Sequence, residues 1–169
     1  IIFASMKNLF FVLMVAFFAF LSCRNDESDV QQIDQIINLY IDSANQDMLN
    51  VKIKGSYTNI RMNDVYGITD AAPVNFSMKK TTDTINYIEY IAGAKRIGID
   101  SSESSKTYQS KIALIMTKKV NDTNRIVNDT MIINYTSTPN LFQVSKVWYN
   151  DVLKFTKVEG HPNIVKISK

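Results

Sequence analysis

The side chains that could carry out chemistry are few and scattered in this chain. His161 is the only histidine and Cys23 is the only cysteine. His161 lies between Gly160 and Pro162, a setting that predicts an exposed turn. The sequence contains no His-Glu or His-His pair at the helical spacing of a zinc site, no Gly-x-Ser-x-Gly motif and no glycine-rich phosphate loop. We therefore expect neither a metal ion nor a cofactor.

The acidic residues form no recognisable catalytic pair. Four candidates lie in different segments of the chain: Glu89, Glu103, Asp151 and Glu159. Most acidic residues of a small domain are solvated surface groups. A Ser-His-Asp triad needs only to meet in space, so the sequence leaves one open, although nothing favours it. This inventory predicts no catalytic residues and favours a non-enzymatic protein over an enzyme.

Aromatic side chains give the best indication of a binding surface. Two pairs could form a stacking platform for sugar or peptide: Trp148 with Tyr149, and Tyr87 with Tyr90. Packing of the same rings in the core and on strand faces is the competing interpretation, and it is the commoner role for aromatic residues in strands.

The amino-terminal region has the pattern of a processing signal. Lys7 precedes an uninterrupted apolar run from Leu9 to Leu21, 13 residues long, which ends at Ser22-Cys23. A membrane-spanning helix needs roughly 20 apolar residues, and a buried core helix should show a polar face. The run therefore fits the hydrophobic region of a signal peptide. We predict that residues 1–22 comprise upstream residues and this signal peptide.

The residues around Cys23 resemble those of a known class of exported protein. Phe20-Leu21-Ser22-Cys23 resembles the relaxed lipobox of Bacteroidota-type lipoproteins, and Arg24-Asn25-Asp26-Glu27 resembles the surface-export signal of that class. The resemblance implies acyl chains such as palmitate on Cys23, a short tether over residues 23–29, and a location in the bacterial outer membrane with the domain at the cell surface. Several acyl chains would hold the protein on a bilayer stably, since each buried CH₂ contributes about 0.8 kcal/mol. A buried free thiol and a soluble secreted protein are the alternatives.

Three Asp-Ser/Thr-aliphatic triplets, centred on Ser43, Thr84 and Thr130, carry a second resemblance. They are similar to the O-glycosylation sequence used on exported proteins of the same bacterial group. The resemblance implies O-linked glycans on these three hydroxyls. Composition alone gives roughly one such triplet, so the excess is mild.

Residues 30–169 are long enough to form one globular domain with its own core. The domain has no cysteine and therefore no disulfide. The net charge is +3 for the whole chain and +2 after residue 22. The basic residues are scattered, with adjacent pairs at Lys79-Lys80 and Lys118-Lys119, so we expect no basic phosphate-binding face and no nucleic-acid partner.

Apolar residues at helical spacing predict an amphipathic helix at the start of this domain. A capping box could begin it, formed by Ser28 with Gln31 or by Asp29 with Gln32. The apolar stripe consists of Val30, Ile33, Ile36, Ile37, Tyr40, Ile41, Ala44 and Met48. Because this single stripe must be covered, we expect the helix to pack on a sheet.

After Asn50 the sequence is rich in β-branched and aromatic residues, which predicts strands. The expected strands are 51–57, 74–80, 84–92, 107–120, 125–136, 141–149, 152–158 and 164–167. The last five of these are expected to form an antiparallel meander, with turns predicted at residues 121–124, 137–140 and 150–151. Residues 84–92 are ambiguous between helix and strand, and the absence of a polar helical face favours a strand.

These elements together predict an α+β fold, with one N-terminal amphipathic helix packed on a curved, mainly antiparallel sheet. Cystatin-like and NTF2-like folds have this outline, but the likeness is architectural and transfers no function. We expect an exported binding domain that is anchored to the membrane through Cys23 and whose partner is a glycan, a peptide or an envelope protein. The alternatives are a small NTF2-like hydrolase or isomerase with a pocket between helix and sheet, and a structural subunit of an envelope assembly.

Overall fold

The computed structural model describes residues 30–169, and every helix or strand assigned in that range is a β-strand. The strands are β1 (Gln32–Asp34), β2 (Ile36–Ser43), β3 (Gln46–Asp47), β4 (Tyr57–Asp64), β5 (Ser77–Lys80), β6 (Asn86–Ile91), β7 (Ile97–Ser101), β8 (Lys106–Val120), β9 (Thr123–Ser137), β10 (Leu141–Tyr149), β11 (Val152–Thr156) and β12 (Asn163–Ser168). No helix capable of crossing a bilayer occurs within the described range.

The strands form two sheets. The first sheet has the order β1, β10, β9, β8, β4, with β11 added to β10 and β7 added to β8. The second has the order β12, β2, β6, β5, with β3 added to β2. Most neighbours are antiparallel, but β1 runs parallel to β10 and β12 runs parallel to β2. The chain therefore passes from one sheet to the other at Gln35, between β1 and β2.

The inner faces of the two sheets supply one hydrophobic core. From the second sheet, β2 contributes Ile37, Leu39 and Ile41. From the first sheet, the long central strands contribute every second residue: Ile112, Leu114 and Met116 from β8, and Met131, Ile133 and Tyr135 from β9. The alternation of buried and outward residues follows from the two-residue period of a strand.

The predicted α+β fold is wrong, because residues 30–48 form strands and not a helix. Apolar residues in this segment fit the period of a helix and also the two-residue period of a strand, since Ile37, Leu39 and Ile41 alternate with Asn38 and Tyr40. Pairing of β2 with β12 and β6 on its two sides gives its backbone long-range partners. With no helix among the described residues, the cystatin-like and NTF2-like outlines do not apply.

Several strand predictions are confirmed and others need correction. Residues 86–91 form a strand, and β8 to β11 form the expected antiparallel meander. The strand predicted over 51–57 is instead a series of turns over 51–56, followed by β4 from Tyr57, and β12 leaves the meander to pair with β2. The pairing of β12 with β2 could not be inferred locally, because the two strands are more than 100 residues apart.

Three two-residue turns close hairpins in the described chain. Each places both residues at positive φ: Ala44-Asn45 (49° and 61°), Asn121-Asp122 (49° and 60°) and Asn150-Asp151 (48° and 64°). This is the geometry of the type I′ turn, whose twist matches that of the flanking strands. Asn and Asp tolerate the left-handed conformation better than other residues with side chains, which explains five of the six positions.

Candidate functional site

The four predicted platform residues do not come together. Trp148 lies half-buried on the outward side of β10, whereas Tyr149 is buried in the core. On β6, Tyr90 is buried and Tyr87 lies on the opposite, outward face. Two of the four rings are therefore core residues, and the other two lie on different sheets.

Tyr149 is held in a buried polar network. Its hydroxyl donates a hydrogen bond of 2.7 Å to Oδ2 of Asp129, whose Oδ1 accepts another of 2.7 Å from the Asn150 amide. The ammonium group of Lys169 also donates to Asp129 and lies 5.0 Å from the Tyr149 ring centroid. These contacts give Tyr149 a structural role.

Burial and hydrogen bonding shift the pKa values of Asp129 and Tyr149 in this network. Burial alone raises the pKa of the Asp129 carboxyl, but the hydrogen bonds that it accepts outweigh burial and lower the pKa below 3.8. Burial raises the pKa of the Tyr149 phenol, and donation to the Asp129 carboxylate raises it further. Both groups are therefore kept in one protonation state around neutral pH.

Tyr90 closes the turn that follows β6. Its phenol oxygen accepts hydrogen bonds from the backbone amides of Gly93 (3.1 Å) and Ala94 (2.9 Å). Burial raises the pKa of this phenol, while the two amide hydrogen bonds oppose that rise. The ring is unavailable to a ligand because only 1% of Tyr90 is exposed.

Tyr87 does form an aromatic pair, and its partner is Tyr40, a residue predicted to lie on a helix. Its ring stacks on Tyr40 of β2, with the centroids 5.2 Å apart and the planes inclined by 24°. Both residues are half-buried and point away from the core. Register explains the contact, because Leu39 pairs with Ile88 and the next outward residues on the two strands are Tyr40 and Tyr87. Recognising a two-residue period over 36–42 would have revealed this pair.

Tyr40 also lines a groove on the second sheet. Its volume is about 440 Å³. The groove is formed by β2, the turn after it, the loop between β5 and β6, and β12. Its lining residues are Tyr40, Ile41, Asp42, Asn45, Asp47, Thr81, Asp83, Ile85, Asn86, Ile164 and Lys166. We call this the Tyr40 groove.

One side of the Tyr40 groove is fixed by Asp47. Its Oδ2 accepts hydrogen bonds from the Asn86 backbone amide (2.9 Å) and side-chain amide (2.6 Å), and its Oδ1 accepts one from the Leu49 amide (2.9 Å). These bonds join the turn after β3 to the start of β6. Both carboxylate oxygens of Asp47 are therefore engaged, and the residue holds the groove wall in place.

Three other charged side chains in the groove are not held by hydrogen bonds of this kind. Asp42, Asp83 and Lys166 form no side-chain hydrogen bond or ion pair with the described part of the chain. Lys166 lies directly beside Tyr40 in the register of β12 and β2. The groove thus combines an aromatic ring, two free carboxylates and one ammonium group. The carboxylates can accept hydrogen bonds from a polar ligand, and the ammonium group can donate hydrogen bonds to it.

The residues considered for chemistry remain apart. His161 is exposed, with Nδ1 3.0 Å from the backbone oxygen of Glu159. Glu89 lies on the outward face of β6, 3.7 Å from the ammonium group of Lys79, and Asp151 lies in an exposed hairpin turn. Within residues 30–169 no group of three His, Cys, Asp or Glu side chains could hold a metal ion. These side chains therefore share no site in the part of the chain that the structure describes.

The predicted modification sites occupy three different settings. Thr84 is exposed in the turn before β6, at φ 67°. Ser43 ends β2 and its hydroxyl donates to the backbone oxygen of Lys169 at 2.9 Å. Thr130 is half-buried on β9, and its amide donates to the Asn150 side chain at 2.8 Å. Glycosylation of all three stays a prediction. Cys23, the predicted lipidation site, lies outside the described residues.

Comparison with known proteins returned no family model, curated protein or solved structure that matches the chain.

Proposed function

We propose that this protein is a lipoprotein of the bacterial cell envelope, anchored through acyl chains on Cys23, whose domain binds carbohydrate in the Tyr40 groove. The observation that carries the binding proposal is that Tyr40, whose ring stacks on Tyr87, lines a groove that also contains two free carboxylates. The anchoring proposal is supported by the lipobox-like residues before Cys23.

The aromatic pair suits the apolar face of a sugar ring. An isolated surface tyrosine can rotate, but stacking on Tyr87 restricts the Tyr40 ring, so less conformational entropy is lost when a ligand packs against it. Ile85 and Ile164 extend the apolar part of the lining. A flat, partly apolar ligand would therefore find a prepared surface.

The polar lining suits hydroxyl groups. Carboxylate oxygens accept hydrogen bonds from hydroxyls, and the ammonium group of Lys166 donates to ring or hydroxyl oxygens. Asp42 and Asp83 are available for this role, while Asp47 and Asn86 are already occupied with each other. A site that is mostly apolar with a few placed polar groups is the usual form of a small-ligand pocket.

A binding role fits the domain better than the enzymatic alternative. The pocket expected between helix and sheet has no helix to form it among the described residues. The space between the sheets is instead filled by the shared core. The aromatic pair lies outside that core, which is the arrangement expected of a binding module.

The carbohydrate proposal is tested by measuring the full chain against an oligosaccharide array, followed by titration calorimetry with any bound glycan. The Tyr40→Ala variant should weaken binding at least tenfold, because it removes both the apolar area that the ring buries and about 1 kcal/mol of stacking beyond that area. Trp148→Ala is the matched control, since it removes a half-buried outward aromatic residue from the other sheet. Absence of glycan binding, or equal loss in both variants, would contradict the proposal.

Anchoring is tested separately by intact-mass spectrometry and membrane fractionation after expression in a bacterial host. The wild-type chain should carry acyl mass on Cys23 and sediment with membranes, and the Cys23→Ala variant should carry none. Unacylated wild-type protein would refute the anchor while leaving the groove proposal intact.

An envelope assembly is the second candidate function, and one edge strand favours it. All five residues of β7 are exposed, including Ile97 and Ile99, and β7 pairs with β8 on one side. Exposed strand edges can pair with another chain. A register shift between Gly98 and Asp100 interrupts the edge, however, and such bulges discourage pairing. Light scattering of the purified chain should show a defined oligomer if β7 serves this purpose.

A further inference from the structure

We infer that the domain has a second binding site, for a phosphate group, at the end of the first sheet where β4 begins and β8 turns into β9. The site is a cavity of about 580 Å³ formed by the loop before β4 and the turn between β8 and β9. Its lining residues are Val51, Ile53, Lys54, Gly55, Ser56, Thr58, Lys119, Asn121 and Asp122. We call it the Ser56 cavity, and it shares no residue with the groove.

The hydroxyl of Ser56 is the feature that points to a ligand. Ser56 is only 2% exposed, yet its Oγ has no hydrogen-bond partner in the described part of the chain. A buried hydroxyl without a partner is destabilising, so such groups are uncommon unless something else satisfies them. Ser56 lines the cavity, but its Oγ exposes less than 1 Å², so the loop 51–56 must shift before a ligand oxygen can accept the hydrogen bond that Ser56 lacks.

The charge of the cavity indicates an anionic ligand. Lys54 and Lys119 both line it, although they lie far apart in sequence, and neither forms an ion pair with the described residues. Asp122 is the one acidic residue in the lining, so the local balance is positive. Lys52 lies in the same loop, and Lys118 lies beside Lys119 with its ammonium group 5.8 Å from the Tyr57 ring centroid.

The backbone of the loop adds donors at the same place. The amides of Lys54 and Gly55 donate to no acceptor within residues 30–169. Gly55 has φ +84°, and a Cβ built on it would meet nothing within 4 Å, so space is open beside these amides. Backbone amides, a hydroxyl and two ammonium groups are the donors that phosphate recognition uses.

Scattered basic residues therefore become a phosphate-binding surface only in the folded domain. Pairing of β4 with β8 sets Tyr57 opposite Lys118 and so brings the loop 51–56 beside the β8–β9 turn. Apolar groups are exposed next to the cavity as well, with Val51 66% and Val120 40% exposed. Either a soluble phosphate ester or a lipid phosphate could supply the anion.

The site is tested by titrating the full chain, purified in nonionic detergent, with inorganic phosphate at constant ionic strength while recording amide NMR shifts. Saturable shifts should be confined to residues 50–58 and 117–122. Ser56→Ala should weaken phosphate binding roughly tenfold, because a hydrogen bond to a charged group is lost. The double variant Lys54→Gln, Lys119→Gln should weaken it further.

Matched controls lie on β5, at an edge of the other sheet. Ser77→Ala removes an exposed hydroxyl and the pair Lys79→Gln, Lys80→Gln removes two charges, and neither should change phosphate affinity. The same amide spectra show whether each variant is folded. The inference is overturned if phosphate causes no saturable shifts, or if the β5 variants weaken binding as much as the cavity variants.

The source of the phosphate is resolved by competition. Glycerol 3-phosphate in solution and phosphatidic acid mixed into the detergent micelles are each used to displace inorganic phosphate. Displacement by either one supports the site. Stronger displacement by phosphatidic acid assigns a lipid headgroup, whereas stronger displacement by glycerol 3-phosphate assigns a soluble ester.

Discussion

The phenol of Tyr149 donates a 2.7 Å hydrogen bond to Asp129, a carboxylate that is 5% exposed in the described domain. Tyr149→Phe removes this donor and retains the ring. We expect the free energy of unfolding to fall by about 1–2 kcal/mol, since one hydrogen bond to a buried charge is lost. Urea denaturation measures the change. Tyr87→Phe, whose hydroxyl has no hydrogen bond within residues 30–169, is the control and should change stability by less than about 0.5 kcal/mol.

Asp129 should make the domain sensitive to acid. Its folded-state pKa lies below the ordinary value of 3.8, so its contribution to stability is present above that value and is lost as the pH falls through the folded pKa. Urea denaturation at a series of pH values from 7 to about 2.5 should show falling stability below about pH 4. Asp129→Asn should flatten that part of the profile. An unchanged slope in this variant would show that other carboxylates cause the acid loss.

Arg96 should not be replaceable by lysine. Its guanidinium lies 4.9 Å from the Tyr135 ring centroid and 4.7 Å from that of Phe142, while Nη2 donates to Gln35 (2.7 Å) and to the Ala92 backbone oxygen (2.6 Å). A lysine cannot stack and donate in this planar geometry, so Arg96→Lys should cost about 1–3 kcal/mol by thermal or urea unfolding.

The exposed Arg61 of β4 provides the control for this substitution. Arg61→Lys should leave stability within about 0.5 kcal/mol of the wild-type value. Equal effects of the two substitutions would mean that the stacked guanidinium contributes nothing specific.

Lys157 should stabilise the crossing of the chain between the sheets. Its ammonium group contacts Asp34 and donates to the backbone oxygen of His161 (2.7 Å) and to Oδ1 of Asn163 (2.9 Å). Lys157→Met leaves these acceptors short of a donor and should lower the free energy of unfolding by about 2 kcal/mol. Lys154→Met on exposed β11 is the control. Hydrogen exchange should also quicken at residues 32–38 in the Lys157 variant alone.

Two alanine substitutions separate the observed strand from the predicted helix over residues 30–48. Leu39 is fully buried in β2 but lies off the predicted helical stripe, whereas Ile36 belongs to that stripe and is 46% exposed. Leu39→Ala should therefore cost about 2–5 kcal/mol and Ile36→Ala less than about 1 kcal/mol in urea denaturation. The reverse order would favour the helix.

Prediction from the sequence succeeded where a local pattern had one interpretation. The hairpin turns at Asn121-Asp122 and Asn150-Asp151 were expected, because Asn and Asp accept the backbone conformation that such turns require. It failed over residues 36–42, where the apolar residues satisfy both a helical and a strand period. Tyr40 was consequently assigned to a buried stripe, and its outward stack with Tyr87 was missed.

The sequence by itself determined the long meander of β8 to β11, because alternation and turn chemistry act between neighbouring residues. Tertiary structure decided everything that depends on distant pairing. Parallel pairing of β12 with β2 placed Lys166 beside Tyr40, and pairing of β4 with β8 placed the loop 51–56 beside Lys119. Such pairs arise only when a common core is buried between the two sheets, and no local period in the chain specifies which strands will meet there.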